Sequence, residues 1–305
     1  MAPIQPKVIR CMFGIGERVA PGLTGRAAFA LFSRTPNPGK LTAGESRALS
    51  SATGFMKEAR HHMLETRTGR VAAYEFSPEP SSPGQDTVLV VHGWRSRTEY
   101  MRWLIAGYRD AGYRVVSLDL PGHGRSEGRK LTMFNALDTV RAASDRFGPF
   151  TAVVGHSFGG AVALNAIAGS IPGIAPLSAK RLVLVAAPNS IPAVFEGFSQ
   201  ALNVGPRSQS AMSQRLHRMA GRPLSDFIGD RQLAQLQVPT LVVHAPDDRE
   251  VPAEQAQAFT KAGPHVQIYW AAGLGHRRIL ADPAVVERSV DFVARAEPAP
   301  VALAN

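Results

Sequence analysis

Three side chains in this 305-residue sequence have the types and the chain order for nucleophilic catalysis by a serine: Ser157, Asp248 and His276. A serine hydroxyl is a poor nucleophile alone. It needs a base to take its proton and a carboxylate to hold that base in one tautomer. Ser157 stands in Gly155-His156-Ser157-Phe158-Gly159, a G-x-S-x-G pattern between the apolar run TAVV and the helix-forming GAVALNAIA. That order reads as strand, sharp turn, helix. So tight a turn is expected to force a positive φ on the serine, and Gly155 and Gly159 remove side chains that would collide there. The helix after it would aim unpaired N–H groups and its positive dipole end at the reacting centre. The plainer reading is a glycine-rich turn in an ordinary sheet, because short motifs often match by chance.

The partners weigh against the plainer reading. Asp247 and Asp248 lie in PDDREVP after the strand-like run TLVVHA, and His276 lies in GLGHRR after VQIYWA. Ser, Asp and His thus follow one another in chain order, each just past a strand end. Two adjacent carboxylates on an irregular loop cannot be oriented from sequence, so the residues alone leave both Asp247 and Asp248 open.

The elements that must position these residues begin late in the chain. Apolar patterns predict strands over 69–76, 87–92, 114–119, 151–154, 181–187, 240–245 and 266–271. Helical patterns over 99–111, 132–147, 157–169, 253–262 and 283–295 separate most of them. Such alternation implies right-handed βαβ units in a mostly parallel sheet. Residues 66–187 and 238–296 are read as this core. Residues 188–237 contain helical stretches but no strand-like run, so they read as a helical insertion above the sheet, a lid. Its Val194, Phe195, Phe198 and Met212 suit acyl chains or, equally, the insertion's own packing. Residues 297–305 read as a frayed tail.

Residues 1–65 read as an N-terminal helical extension. Helical spacing runs over 23–32, and Thr42-Ala43-Gly44-Glu45 has the form of a capping box opening a second helix toward Met56. A membrane-surface helix or a wall of the active site is one reading; a packing arm against the core is favoured. The adjacent His61 and His62 are expected to precede the sheet.

Together these motifs resemble the α/β-hydrolase family. The resemblance runs from about Gly69 to Val293 and rests on His92-Gly93-Trp94, Asp119-Leu120-Pro121-Gly122-His123-Gly124-Arg125-Ser126, the Ser157 pentapeptide, Asp248-Arg249-Glu250-Val251-Pro252 and Gly275-His276. It implies an α/β fold with a mostly parallel central sheet, helices on both faces and a helical lid insertion. The family's D-x-x-V-P pattern places the acid on Asp248. An oxyanion hole made by the backbone N–H groups of Trp94 and Phe158 is also implied, with Asp119, His123 and Ser126 shaping its supporting loop. HGW with its following arginines, the GLGHRRIL ending and the TP-containing extension resemble a bacterial group of this family whose substrate is unassigned. The implied activity is carboxylic ester hydrolysis through an acyl-enzyme. The same triad would serve thioesters, amides, lactones or carbon–carbon bonds, and a non-catalytic binding module is the remote alternative.

Other chemistries lack their parts. There is no H-E-x-x-H, no Walker A and a single cysteine, Cys11, so no metal site and no cofactor is expected. His92, His156 and His244 abut strand ends and read as structural histidines. The net charge is +10, of which +5 falls in residues 1–65, nine Lys/Arg against four Glu. The basic residues are scattered without interleaved aromatics, so nucleic acid is not an expected partner. Arg95 and Arg97 beside the Trp94 loop either attract an anionic substrate or are solvated surface charge. Without a spanning helix or a signal-type apolar run, a cytoplasmic location and a small ester-like substrate are expected, membrane contact is not, and the oligomeric state is left open.

Overall fold

A computed structural model describes residues 6–37, 39–78 and 86–295. The expected tail over 297–305 lies outside them. Three helices come first, α1 (Pro6–Val19), α2 (Pro21–Phe32) and α3 (Ala43–Met56), the last opened by the Thr42/Glu45 capping box. The sheet then begins with β1 (Arg60–Thr66), β2 (Gly69–Phe76) and β3 (Thr87–Val91), followed by α4 (Arg102–Asp110), β4 (Arg114–Leu118), α5 (Met133–Phe147), β5 (Phe150–His156), α6 (Phe158–Ile167) and β6 (Ala179–Val185). Three helices, α7 (Ile191–Leu202), α8 (Pro206–Ala220) and α9 (Gly229–Leu236), precede β7 (Thr240–His244). The chain closes with α10 (Ala253–Phe259), β8 (Val266–Trp270), α11 (Gly275–Arg278) and α12 (Pro283–Ala294).

The eight strands form one sheet in the order β1-β2-β4-β3-β5-β6-β7-β8. Only β1 and β2 are antiparallel to their neighbours, and the six strands from β4 to β8 run parallel. Strands buried on both faces read as unbroken apolar runs, which is what TVLVV is. Its Leu89 and Val91 face one core layer with Leu137 of α5, Leu164 of α6 and Phe259 of α10. Val88 and Val90 face the opposite layer with Leu104 of α4 and Phe292 of α12. Each such side chain contributes roughly 1.5–3 kcal/mol by leaving water. Two thick layers therefore fix where the strand ends lie, and with them the loops after β3, β5, β7 and β8.

Three expectations need correction. The first strand is Arg60–Thr66, so the sheet starts inside the stretch read as extension, and His61 and His62 are strand residues. His62 Nε2 lies 2.9 Å from Glu75 Oε2, and the His61 ring packs edge-on to Tyr74 at 4.2 Å. RHHMLET carries no strand signal because β1 is an edge strand whose one buried side chain is Leu64, which leaves almost no alternation to read. The helical extension holds one helix more than the two its spacing announced, α1 over Pro6–Val19. The third correction concerns 188–237: an isolated bridge between Ser190 and Ile228 closes the neck of the insertion, and α9 packs with α6, its Leu233 wholly buried in the sheet's own core. Helices α7 and α8 reach that core only at their ends, through Ile191 and Ala220.

Candidate active site

β5 ends and α6 begins at Ser157, whose φ of 53° and ψ of −125° put it in the left-handed half of backbone space. A non-glycine residue held there costs of order 1–3 kcal/mol, so surrounding contacts must impose it. They are visible. The Ser157 N–H donates to the Val185 carbonyl of β6 at 2.8 Å. A Cβ at Gly155 would lie 2.4 Å from the Gly159 carbonyl oxygen, and one at Gly159 would lie 2.3 Å from that of Val91. Backbone sits where any side chain would, and the serine remains half-buried at the turn's apex.

The loop after β7 brings Asp248, and not Asp247, to His276. Asp248 Oδ2 accepts the His276 Nδ1–H at 2.7 Å, and its Oδ1 accepts the N–H groups of Glu250 at 2.7 Å and Val251 at 3.0 Å. Burial alone would raise the Asp248 pKa, but the bonds from His276 and the Val251 N–H hold it below the ordinary carboxylate value. Asp247 is exposed and accepts the Gly273 N–H at 2.8 Å, bracing the turn that carries His276. With Nδ1 committed, His276 presents Nε2, which lies 3.8 Å from Glu250 Oε2.

His156 joins the two halves of the site. Its Nε2–H donates to the backbone carbonyl of His276 at 2.9 Å, and the two rings lie 4.9 Å apart. The residue before the serine thus holds the loop of the candidate base. Complete burial, reinforced by His276, pulls the His156 pKa to about 3, so it stays neutral. His244, also buried, donates to the Val251 carbonyl at 3.0 Å and supports the Asp248 loop. Two of the three histidines that read as structural, His156 and His244, thus have a named partner. Sequence supplied no signal for the His156 latch, which joins positions 120 residues apart.

On the other side, the turn after β3 abuts the serine, since a Cβ at Gly93 would lie 2.7 Å from Ser157 Cβ. The next residue, Trp94, meets Phe158 edge-to-face at 6.0 Å. Among the described residues, neither the Trp94 nor the Phe158 backbone N–H has an acceptor. The Trp94 turn is pinned from behind. Arg95 takes a φ of 55°, and its N–H donates to His123 Nε2 at 3.1 Å, while His123 donates through Nδ1 to Pro121. His92 donates through Nδ1 to the Gly93 carbonyl at 2.7 Å and accepts the Leu120 N–H on Nε2 at 2.9 Å. Its burial, with His123 adjacent, pulls its pKa to about 3. Asp119 anchors the whole by accepting from Tyr74, Thr98 and Arg125.

Among the residues weighed for substrate contact, Arg95, Arg97, Phe195 and Phe198 divide differently. Arg97 gives its guanidinium to Glu99 in two bonds of 2.8 and 2.9 Å, so it is neither solvated nor free for an anion. Phe195 is buried against Phe29, and Phe32 lies edge-on to both Phe195 and Phe198, at 5.9 and 5.0 Å. The insertion's apolar surface meets α2 because the extension covers it, a pairing no local pattern announces. Arg95 is exposed and, with Arg34, Lys40 and Arg129, lines an open groove of about 610 Å³ beside Trp94. No carboxylate appears in that groove among the described residues. Nor do any three His, Cys, Asp or Glu side chains among them form a group able to hold a metal.

The chain is similar to known proteins. Residues 88–289 match the Alpha/beta hydrolase family. A stretch of 84 residues is 36% identical to the phospholipase YtpA of Bacillus subtilis (strain 168), covering 26% of this chain and 32% of that protein. The chain therefore spans about a third of that relative's length. The carboxylesterase CesB (YbfK) of Bacillus subtilis superposes with a TM-score of 0.59 at 16% identity, covering 83% of this chain and 98% of that one. Est1E of Butyrivibrio proteoclasticus gives 0.59 at 19% identity, with 77% and 99% covered. At such identities the likeness is one of fold. With two thirds of its length matched, this chain belongs to the alpha/beta-hydrolase family.

Proposed function

We propose that the protein is a serine hydrolase of carboxylic esters, with Ser157 as nucleophile, His276 as general base and then acid, and Asp248 holding the His276 tautomer. The observation that carries this reading is the 2.7 Å bond from His276 Nδ1 to the buried Asp248, which leaves Nε2 as the proton acceptor. In this reading Ser157 Oγ attacks the ester carbonyl as His276 takes its proton. The unaccepted N–H groups of Trp94 and Phe158 stabilise the oxyanion, each by about 3 kcal/mol of barrier. His276 then protonates the departing alkoxide, and water, activated by the same imidazole, releases the acid from the acyl-serine. The names phospholipase and carboxylesterase among its relatives agree with an oxygen ester substrate. In the same reading α7 and α8 form a cap over the acyl side.

A fluorophosphonate probe tests the reading. It is expected to label the wild-type protein and leave Ser157→Ala unlabelled, with esters of graded acyl length turned over by wild type alone. Equal labelling of the two, or none of wild type, would refute it. Faster turnover of matched thioesters or lactones would keep the triad and replace the substrate.

A further inference from the structure

Helix α1 has two faces, and the fold accounts for one. On the inner face Phe13 is buried with Ala28, Phe29, Phe195, Val204 and Met212. Two charged groups complete the clamp. The Glu17 carboxylate accepts the N–H groups of Arg207 and Ser208, each at 2.9 Å, at the start of α8, where a helix's unpaired amides favour an anion. The Arg10 guanidinium donates to the carbonyls of Gln200, at 3.2 Å, and Ala201 in the last turn of α7, the complementary match at a helix end. Helix α1 is thus a fixed platform on α7 and α8.

The outer face is apolar and bare. Val8, Met12, Ile15 and Val19 recur at i, i+4, i+7 and i+11, within about 60° of one another around the axis. They are 49%, 62%, 58% and 78% exposed, and Leu23 at the start of α2, beyond the non-helical Ala20, is 65% exposed. Single exposed apolar residues need no explanation, but a row of four large ones on one helix face, with Leu23 bare on the next helix, does. Lys7, Arg18 and Arg26 are exposed on the same two helices and have no ion-pair partner among the described residues. Between Pro6 and Phe32 the sequence holds one carboxylate, Glu17, and α8 has claimed it.

This charge pattern selects the occupant. A second copy seated on the row by two-fold symmetry would set Lys7, Arg18 and Arg26 among their own duplicates with no carboxylate to pair them. A bilayer bearing anionic headgroups offers acyl chains to the row and phosphates to the cations at once. We propose that α1 is an interfacial helix that docks this protein on an anionic lipid surface through Val8, Met12, Ile15, Val19 and Leu23. No described helix is long and apolar enough to cross a membrane, so α1 lies on the surface. Docking does not depend on the Ser157 chemistry.

The test uses the full chain and vesicles of phosphatidylcholine with or without phosphatidylglycerol. Wild type is expected to sediment with the phosphatidylglycerol vesicles and about tenfold less with phosphatidylcholine alone or in high salt. The exposed double substitution Met12→Ser with Ile15→Ser is expected to weaken binding about tenfold or more while thermal unfolding and ester turnover stay unchanged. The sole cysteine, Cys11, is exposed on α1, so a polarity-sensitive fluorophore there should shift to the blue on binding. No binding by wild type, equal binding by the double variant, or light scattering that finds a dimer broken by the double variant would each overturn the proposal.

Discussion

The imidazole of His156 donates from Nε2 to the backbone carbonyl of His276 at 2.9 Å, so the residue preceding the candidate nucleophile fixes the main chain of the candidate base. Misplacing a base by about 1 Å costs of order 100-fold in rate. His156→Ala is therefore expected to lower kcat by roughly 10- to 100-fold with KM little changed, because the latch holds the main chain of the base. Steady-state kinetics checks this, and a loss confined to KM would exclude a positioning role.

Neighbouring aspartates should behave oppositely. Asp248 is buried on His276 Nδ1, whereas Asp247 is exposed on the Gly273 N–H. Asp248→Asn should lower kcat by about 10⁴-fold, since a carboxamide favours the wrong imidazole tautomer. Asp247→Asn should cost less than about tenfold. Similar losses in the two variants would mean the loop matters only as a scaffold.

Stability should fall on acidification well before the carboxylates titrate. His92 and His156 have pKa values of about 3 in the folded chain, mainly from burial, against about 6.5 unfolded. Between those values the unfolded chain binds more protons, so their contribution is complete above pH ~6.5 and is lost as pH falls toward ~3. Each adds about 1.4 kcal/mol per pH unit to the slope, or nearly 3 together. Asp248, held low, extends the loss in the same direction further into acid. Urea unfolding across this window measures the slope, and a flat profile above pH ~4.5 would contradict it.

Phe195 separates packing from substrate contact. Its ring is buried against α2, so Phe195→Ala should destabilise the protein by about 3–5 kcal/mol. Calorimetry would register it. An unchanged melting temperature with an altered acyl-length profile would return this side chain to the substrate.

Arg95, next to Trp94 in the chain, is one of four exposed cations of the groove, whereas Arg97 is spent on Glu99. Arg95→Ala is expected to raise KM for carboxylate-bearing esters about three- to tenfold at low salt, with neutral esters unaffected. Equal effects on both classes would show that the substitution disturbs the Trp94 turn.

The parallel core was legible because strands buried on both faces must be continuous apolar runs, and the turns between them carry glycines that backbone contact demands. Gly155 and Gly159 announced the turn at Ser157 for that reason, and TLVVHA and VQIYWA announced the loops of Asp248 and His276. These are local consequences of burial and sterics, so linear order carries them. The choice of Asp248 over Asp247 was legible only through the D-x-x-V-P pattern of the family the chain resembles, and two things were not legible at all: the His156 latch, and the meeting of Phe195 and Phe198 with α2. Each depends on which atoms the sheet brings together from positions far apart in the chain. β1 was missed because an edge strand borrows its order from a neighbour, and the bare face of α1 could be known only once its other face was seen to be occupied.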